Sequence, residues 1–146
     1  MTKSNPEIAV EYFNSGFNCS QSVLATFCEN YKMDKETALK ISCGLGAGCR
    51  SGEICGAASG AILVIGLANG QCDANDKQSK SDCYAKTVDF LNRFRDSNQS
   101  IVCRELLGCD ISTDEGMERA QREGLFGTTC VAMVKSAAEI LDNSGY

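Results

Sequence analysis

Ten cysteines are spread singly along a chain of 146 residues, and their spacing constrains the fold more than any other feature. No two of them are separated by only two residues, so the paired spacings of zinc ribbons, thioredoxin-like sites and ferredoxins are absent. Histidine is absent too, which excludes mixed Cys/His metal sites and Cys-His catalysis. Any centre built from these thiols therefore needs a tertiary fold that brings distant segments together.

The cysteines also bear on the cellular compartment. Disulfide frameworks belong to oxidising compartments, whereas the cytosol keeps thiols reduced. Residues 1–13 show no basic region followed by an apolar core and no small-residue cleavage site, so we predict no export signal and a cytoplasmic location. Ten thiols in that compartment favour metal binding or redox chemistry over structural disulfides.

Charge and hydropathy argue against two classes of partner. The formal net charge is −5, and the 14 lysines and arginines are scattered instead of forming the basic face that neutralises phosphates. The uncharged segment 54–72 has the length of a membrane span, but Ser59, Asn69 and several glycines interrupt it. We therefore expect neither a nucleic acid nor a membrane as partner, and we interpret this segment as a buried helix.

Apolar residues recur at steps of three and four almost everywhere, a period typical of α-helices. With 43% hydrophobic residues the chain can bury one sizeable core. We predict one all-α domain over residues 1–146, a helical bundle around the apolar helix from about Cys55 to Asn69. The polar segment from Cys72 to Cys83 is predicted to be a surface loop. Further helices are predicted at Glu7 to Phe13, from Cys19 with Asn18 or Ser20 as cap, from Asp34, along Tyr84, Val88, Leu91 and Phe94, from Ser112 with Glu115 in capping-box spacing, and from Thr128 or Thr129.

Four of the cysteines, Cys19, Cys55, Cys103 and Cys130, fall at or just before predicted helix starts. Unpaired N–H groups and a partial positive charge at a helix N-terminus lower the pKa of a thiol and stabilise thiolate or cluster sulfur. Four such ends can point at one anionic centre. These four cysteines are the candidate metal or cluster ligands; the alternative is that each packs in the core as a small apolar side chain.

Two more cysteines lie close to Cys55 in the chain. Cys43 and Cys49 precede it at six-residue intervals around the glycine-rich segment 44–56, whose backbone can wrap a cluster and donate N–H groups to its sulfurs. They are candidate additional ligands or redox partners. The remaining cysteines are predicted to pack in the core (Cys28), to flank the polar loop as a conditional disulfide (Cys72 and Cys83), or to follow Cys103 by six residues without an assigned role (Cys109).

Two arginines directly follow cysteines in the chain. Arg50 follows Cys49, and Arg104 follows Cys103. Arginines of this kind are usually solvated or ion-paired at the surface. A nearby guanidinium nevertheless favours thiolate and can tune the potential of a cluster.

These segments together resemble the redox-active family named after its cysteine pattern, C_GCAxxG_C_C, which is common in anaerobic bacteria and archaea. The resemblance covers most of the chain, and the order of the four family cysteines matches Cys19, Cys55, Cys103 and Cys130. The segments that carry it are GFNCSQSVLATF (16–27), GLGAGCRSGEICGAASGAILVIGLANG (44–70), IVCRELLGCDI (101–111) and the helix from Cys130.

The resemblance implies a helical fold and a redox role. A similar domain occurs in split-Soret cytochromes, where it is associated with an iron–sulfur centre in a dimer. By that likeness the four matching cysteines would hold a [2Fe–2S] or [4Fe–4S] cluster for electron transfer or redox sensing, with an unidentified redox partner protein and a homodimer as expectations. Haem attachment does not carry over, because the chain has no Cys-x-x-Cys-His. Besides Cys28, the chain carries five further cysteines, which leave the ligand set and cluster type open: Cys43, Cys49, Cys72, Cys83 and Cys109.

Two other functions stay open on the residues alone. One is a thiol–disulfide oxidoreductase, in which Cys55 and Cys49 would be the reacting pair. The other is a thiolate site for zinc or copper(I), since both metals accept sulfur ligands. No catalytic acid or base can be identified, so the sequence does not decide whether the protein is an enzyme.

Overall fold

The computed structural model describes residues 2–146, which form eight α-helices and no β-strand beyond one isolated bridge. The predicted all-α fold is confirmed. No helix within these residues is both long enough and apolar enough to cross a membrane. The helices are α1 (Asn5–Asn14), α2 (Cys19–Phe27), α3 (Lys35–Ser42), α4 (Gly56–Asn69), α5 (Lys77–Asn98), α6 (Cys103–Leu107), α7 (Asp114–Arg122) and α8 (Thr129–Asn143).

Helix α4 is the buried central helix that the sequence predicts. Ala57, Ala61, Val64 and Ile65 are fully buried, and the helix packs against α2, α5 and α8. Because α4 carries no charge, neighbouring helices can cover it on several sides without stranding an ionised group. A second, smaller apolar cluster forms around α6 and the start of α8, and it includes Cys103 and Cys130.

Helices α2 and α4 approach each other closely at their N-terminal ends. A Cβ placed on Gly60 would lie 2.7 Å from the carbonyl oxygen and 2.9 Å from the Cα of Ser20. A Cβ on Gly56 would lie 3.3 Å from the Cβ of Cys19. Glycine at these two positions therefore lets the backbones meet, and this contact places the start of α2 beside the start of α4.

Local caps explain where α2 and α3 begin. Asn18 accepts a hydrogen bond from the Gln21 N–H at 3.0 Å, and the Gln21 side chain accepts one from the Asn18 N–H at 2.9 Å. Asp34 accepts from the Thr37 N–H at 2.9 Å. The predicted caps at Asn18 and Asp34 are confirmed, and Asn18 fixes Cys19 as the first residue of its helix.

The predicted loop from Cys72 to Cys83 is wrong over its second half. The Asp76 carboxylate accepts hydrogen bonds from the Ser79 N–H at 3.0 Å and the Ser79 hydroxyl at 2.6 Å, so it caps α5, which begins at Lys77. Only residues 70–76 connect the two helices. Residues 77–83 are polar because the start of α5 is exposed to solvent, not because its backbone is irregular.

Two further local predictions are also wrong. On the predicted apolar face of α5, Phe94 is buried as expected, but Tyr84 and Val88 are 63% and 57% exposed, and Phe90 is the other buried residue of this helix. The cap of α7 is Thr113, which accepts from the Gly116 N–H at 3.0 Å. The Ser112 hydroxyl instead donates to Asp110.

Candidate thiolate centre

Cys19, Cys55, Cys103 and Cys130 line a single cavity of about 130 Å³. They come from the first turns of four different helices: Cys19 begins α2, Cys55 precedes α4, Cys103 begins α6 and Cys130 is the second residue of α8. Cys55, Cys103 and Cys130 are each at least 93% buried. The structure thus brings together the four cysteines predicted as ligands, from positions up to 111 residues apart in the chain.

The rest of the cavity wall is mostly apolar. Three small residues, Gly46, Ala47 and Gly56, form part of the wall. Its polar residues are Asn18, Arg50 and Thr129. A wall of this kind has few dipoles to solvate a charge, so electrostatic interactions inside it are strong. The apolar members are Phe13, Leu106, Leu107, Ile111, Met117, Phe126 and Met133.

A backbone pairing positions two of the cysteines. Ile54 and Val102 form an isolated antiparallel bridge, in which the Cys55 N–H donates to the Ile101 carbonyl at 2.8 Å and the Cys103 N–H donates to the Glu53 carbonyl at 2.6 Å. Each cysteine directly follows a bridge residue. Because side chains alternate between faces in paired extended segments, Cys55 and Cys103 leave the bridge on the same face.

An arginine reinforces this pairing from outside. The Arg104 guanidinium donates to the Gly52 carbonyl at 3.1 Å and to the Glu53 carboxylate at 2.7 Å. It thereby connects the start of α6 to the segment before Cys55. Arg104 is thus engaged in an ion pair, as the sequence analysis expects of a surface arginine.

The other two thiols are neighbours in the cavity. Cys19 lies at the N-terminal end of α2 and Cys130 at that of α8, and both line the cavity. The interaction with the Cys130 side chain, followed by burial, holds the pKa of the Cys19 thiol well above its usual range. A protonated thiol is therefore the stable form of Cys19 when no cation is bound.

Burial has the same effect on two further cavity thiols. It raises the pKa of Cys55 to about 12, with a smaller contribution from Cys19. It also raises the pKa of Cys103 to about 12, with smaller contributions from Cys55 and Cys19. At neutral pH these thiols stay protonated unless a positive centre replaces their protons.

The predicted pKa-lowering effect of helix N-termini is present but outweighed. At Cys55 the nearby N–H groups of Ala57 and Ala58, in the first turn of α4, lower the pKa of the thiol. Burial raises it by more, so the net shift is upward. The free-energy cost of desolvating a thiolate in an apolar cavity exceeds the stabilisation that two N–H dipoles at a helix N-terminus provide. The same two N–H groups remain available as donors to a ligating sulfur.

The four thiols do not form a ready-made site for one ion. Within residues 2–146 no group of three or more His, Cys, Asp or Glu side chains is close enough to hold a single metal ion. Tetrahedral zinc with Zn–S bonds of about 2.3 Å needs sulfur atoms about 3.8 Å apart. A cluster of two or four irons spreads its thiolate ligands over a wider shell than a single zinc ion does.

A left-handed turn borders the cavity at the glycine-rich segment. Ala47, Gly48, Cys49 and Arg50 all have positive φ, between 55° and 62°. For residues with a side chain this conformation costs about 1–2 kcal/mol each, so the turn is held against local preference. Gly48 is required here, because a Cβ on it would lie 2.3 Å from the Glu53 nitrogen.

The family described as "Putative redox-active protein (C_GCAxxG_C_C)" matches residues 17–144 of the chain. The chain belongs to this family. Its cysteine-rich composition and all-helical structure agree with this assignment. Searches of curated proteins and of solved structures gave no match to this chain.

The structure separates the remaining cysteines of this C_GCAxxG_C_C protein from the cavity. Cys43 and Cys49, the candidate additional ligands, are exposed and do not line it, and the pair Cys49 and Cys55 is not brought together there. Cys28 is fully buried in the main core, as predicted. All ten cysteines are free thiols, including Cys72 and Cys83 at the ends of the predicted loop. Cys109 is partly buried beside the smaller apolar cluster, near enough to Cys103 to affect its pKa.

Sequence reasoning missed several residues that build the cavity. Met117 and Phe126, in and after α7, line it, and no local pattern marks them. The bridge was also missed, although a signal existed: Ile54 and Val102 are β-branched residues that directly precede cysteines. Such residues favour extended backbone, and two of them at matching positions are consistent with a pair.

Proposed function

We propose that the cavity holds an iron–sulfur cluster, [2Fe–2S] or [4Fe–4S], ligated by Cys19, Cys55, Cys103 and Cys130, and that the protein transfers electrons or senses redox state. One observation carries the proposal: four cysteines from four separate helix starts line one buried, largely apolar cavity. A bound cluster supplies one-electron transfer at a potential that its surroundings set.

The protonation of the thiols supports a metal-bound state. Nucleophilic thiol chemistry requires thiolate, and raised pKa values for Cys19, Cys55 and Cys103 disfavour it at neutral pH. Iron displaces those protons and offsets the charge of the thiolates, so ligation removes the cost that burial imposes. The apolar wall then excludes water from the ligated sulfurs.

The chain's own groups have defined tasks around such a centre. The bridge and the close contact between α2 and α4 hold the ligands in position before loading. The N–H groups of Ala57 and Ala58 lie near the Cys55 sulfur, and donors of this type stabilise a ligating thiolate and raise the potential of a cluster.

The compartment and the partners are part of the same proposal. Ten free thiols fit the reducing cytoplasm that the sequence predicts. A redox partner protein would have to approach the cavity closely to exchange electrons. The homodimer implied by the resemblance stays a prediction.

The decisive experiment is spectroscopic and chemical analysis of protein purified without oxygen. Ultraviolet–visible and paramagnetic-resonance spectra, with iron and acid-labile sulfide measured on the same sample, report the presence and type of a cluster. We expect a brown protein with matched iron and sulfide. A colourless protein that stays iron-free after reconstitution with iron and sulfide would refute the proposal.

Single Cys→Ser variants test the ligand assignment. Each change at position 19, 55, 103 or 130 should reduce bound iron and colour, because serine is a poor ligand for iron in a cluster. Cys28→Ser and Cys72→Ser are matched controls, since one is a core thiol outside the cavity and the other an exposed thiol. Full iron content in all four ligand variants would rule out this ligand set.

One observation favours a second candidate, a dithiol that a substrate disulfide or peroxide oxidises to a disulfide, the substrate accepting the two electrons and two protons. Cys19 and Cys130 line the same cavity, near enough for Cys130 to raise the pKa of Cys19. Rapid, reversible loss of two thiols in an iron-free protein, abolished by Cys130→Ser, would favour it. Zinc is the remaining alternative, and a colourless protein that unfolds with a chelator would indicate it.

A further inference from the structure

Arg50 is the only charged residue that lines the cavity in the described part of the chain. The four thiols, the apolar wall, Asn18 and Thr129 carry no formal charge while the thiols are protonated. Any charge that develops inside the cavity therefore has one charged side chain in the cavity wall, and that charge is positive. The Asp110 carboxylate lies outside the wall, near enough to Cys103 to help raise its pKa.

The Arg50 guanidinium is also unpaired within the described part of the chain. No carboxylate within residues 2–146 forms an ion pair with it, and no acceptor takes a hydrogen bond from its guanidinium there. The other five arginines are all engaged: Arg93 with Asp89, Arg95 with Asn92, Arg104 with Glu53, Arg119 with Glu123 and Arg122 with Glu118. The sequence named Arg50 and Arg104 together, and the structure distinguishes them.

The backbone that carries Arg50 is held in an unfavourable conformation. Arg50 has φ 58° and ψ 18°, and Cys49 before it has φ 56°. The turn is closed by the Glu53 N–H, which donates to the Gly48 carbonyl at 3.1 Å. It returns the chain so that Gly46, Ala47 and Arg50 all border the same cavity. Strain of this kind is concentrated at functional sites in proteins.

We propose that Arg50 is the counter-charge of the thiolate-ligated centre and raises its reduction potential. This inference rests on the proposed function. Four thiolates around a [2Fe–2S] or [4Fe–4S] core leave a net negative charge, and reduction adds one more electron. A guanidinium at the cavity stabilises the more negative, reduced state, so it favours uptake of the electron.

The side chain of Arg50 is exposed, so its contribution to the reduction potential should depend on ionic strength. Interactions of an exposed charge are screened by salt, whereas those of fully buried donors are screened much less. The part of the potential that depends on Arg50 should therefore shrink as ionic strength rises. The contribution of the Ala57 and Ala58 N–H groups should not.

The test is a redox titration of the cluster-loaded protein and its variants, monitored by visible absorbance. We expect Arg50→Gln to shift the midpoint potential in the negative direction, Arg50→Lys to stay close to the wild type, and the difference to diminish at high salt. Arg93→Gln, an exposed arginine on α5 outside the cavity, is the matched control and should leave the potential unchanged.

Arg50→Gly separates charge from stability. Glycine adopts positive φ without strain, so this variant should have a thermal midpoint at or above that of the wild type while its potential shifts as in Arg50→Gln. A potential lowered in a protein of undiminished stability cannot be assigned to a loosened fold. If cluster-loaded Arg50→Gln and Arg50→Gly have the same midpoint potential as the Arg93→Gln control, the role of Arg50 is refuted while the proposed function stands. If the wild type binds no iron and sulfide, both the role of Arg50 and the proposed function are refuted.

Discussion

Ile54 and Val102 pair across an isolated antiparallel bridge, and the residue after each of them is a cysteine of the cavity. The two hydrogen bonds of the bridge use the N–H groups of those cysteines. The spacing between Cys55 and Cys103 is therefore fixed by backbone, which side-chain substitutions nearby disturb only weakly. This arrangement suits a site whose ligands must be in place before loading.

Replacing Arg104 tests how much the bridge depends on its external ion pair. Both partners are about half exposed, with side-chain exposures of 45% for Arg104 and 58% for Glu53, so solvent screens the pair. We expect Arg104→Gln to cause only a small decrease in the urea midpoint and no loss of iron. A double-mutant cycle with Glu53→Gln measures the coupling, and a large loss of iron in Arg104→Gln would show that the ion pair, not the backbone, holds the site.

Gly60→Ala should separate α2 from α4 at the cavity. The new Cβ would lie within 3 Å of the Ser20 backbone, which cannot move aside as a flexible side chain would. We expect the free energy of unfolding to fall by about 1–3 kcal/mol, as in overpacked cores. Iron content should fall as well, because Cys19 moves with Ser20.

Gly66→Ala in the same helix is the control for that change. A Cβ at Gly66 meets no atom within 4 Å, so the substitution should stabilise the protein by about 0.5–1 kcal/mol through helix propensity. Urea unfolding of both variants gives the comparison. Equal effects at the two positions would contradict the close contact described for α2 and α4.

Alkaline pH should destabilise the cluster-free protein. Thiols of the unfolded chain ionise near their ordinary pKa of 9.0, whereas Cys55 and Cys103 in the fold ionise only near 12. Between those values the unfolded state has released protons that the folded state still holds, so stability falls as pH rises. Each thiol contributes about 1.4 kcal/mol per pH unit within this window.

Urea unfolding with reductant and chelator, followed from pH 8 upward, measures this slope. The double variant Cys55→Ser, Cys103→Ser lacks both groups and should decline less steeply. An equal slope in the two proteins would mean that these thiols are not buried in the protonated form.

Alkylation should divide the cysteines by exposure. Cys43, Cys49 and Cys72 are exposed, whereas Cys55, Cys103 and Cys130 are buried. In native, reduced, cluster-free protein at neutral pH, iodoacetamide should modify the first three many-fold faster, as peptide mass spectrometry would show. Fast modification of Cys130 would point to a reactive cavity thiol and favour the dithiol function. Unfolding in urea should remove the difference and serves as the control.

The sequence predicted those parts of the fold that local signals specify. Asn18 and Asp34 could be identified as caps because a polar side chain at the right distance from an apolar repeat is a local pattern. The start of α5 was missed because residues 77–83 carry no apolar period, and Asp76 is a cap that becomes evident only when the helix is seen. Tyr84 and Val88 have the spacing of a buried face together with Phe94, but tertiary packing buries Phe94 and Phe90 and leaves Tyr84 and Val88 exposed.

The candidate site also combines features that local sequence specifies with features that depend on tertiary contacts. The four ligand candidates could be named from their positions at helix starts, which are local. Their convergence depends on the Ile54–Val102 bridge and the Gly60–Ser20 contact, which join residues about 40 or more positions apart and leave little trace in composition. The positive φ of Ala47, Cys49 and Arg50 opposes the preference of those residues, so no propensity argument could have predicted it.

The order of the four cavity cysteines along the chain has a consequence for biosynthesis. Translation delivers Cys19 first and Cys130 last, and the two come together only when α8 has folded against α2. A nascent chain that has reached Cys103 can offer three thiols, but not the finished enclosure. The four-thiol cavity is therefore a late product of folding, and under the proposed function retention of a cofactor would report that α8 has packed in place.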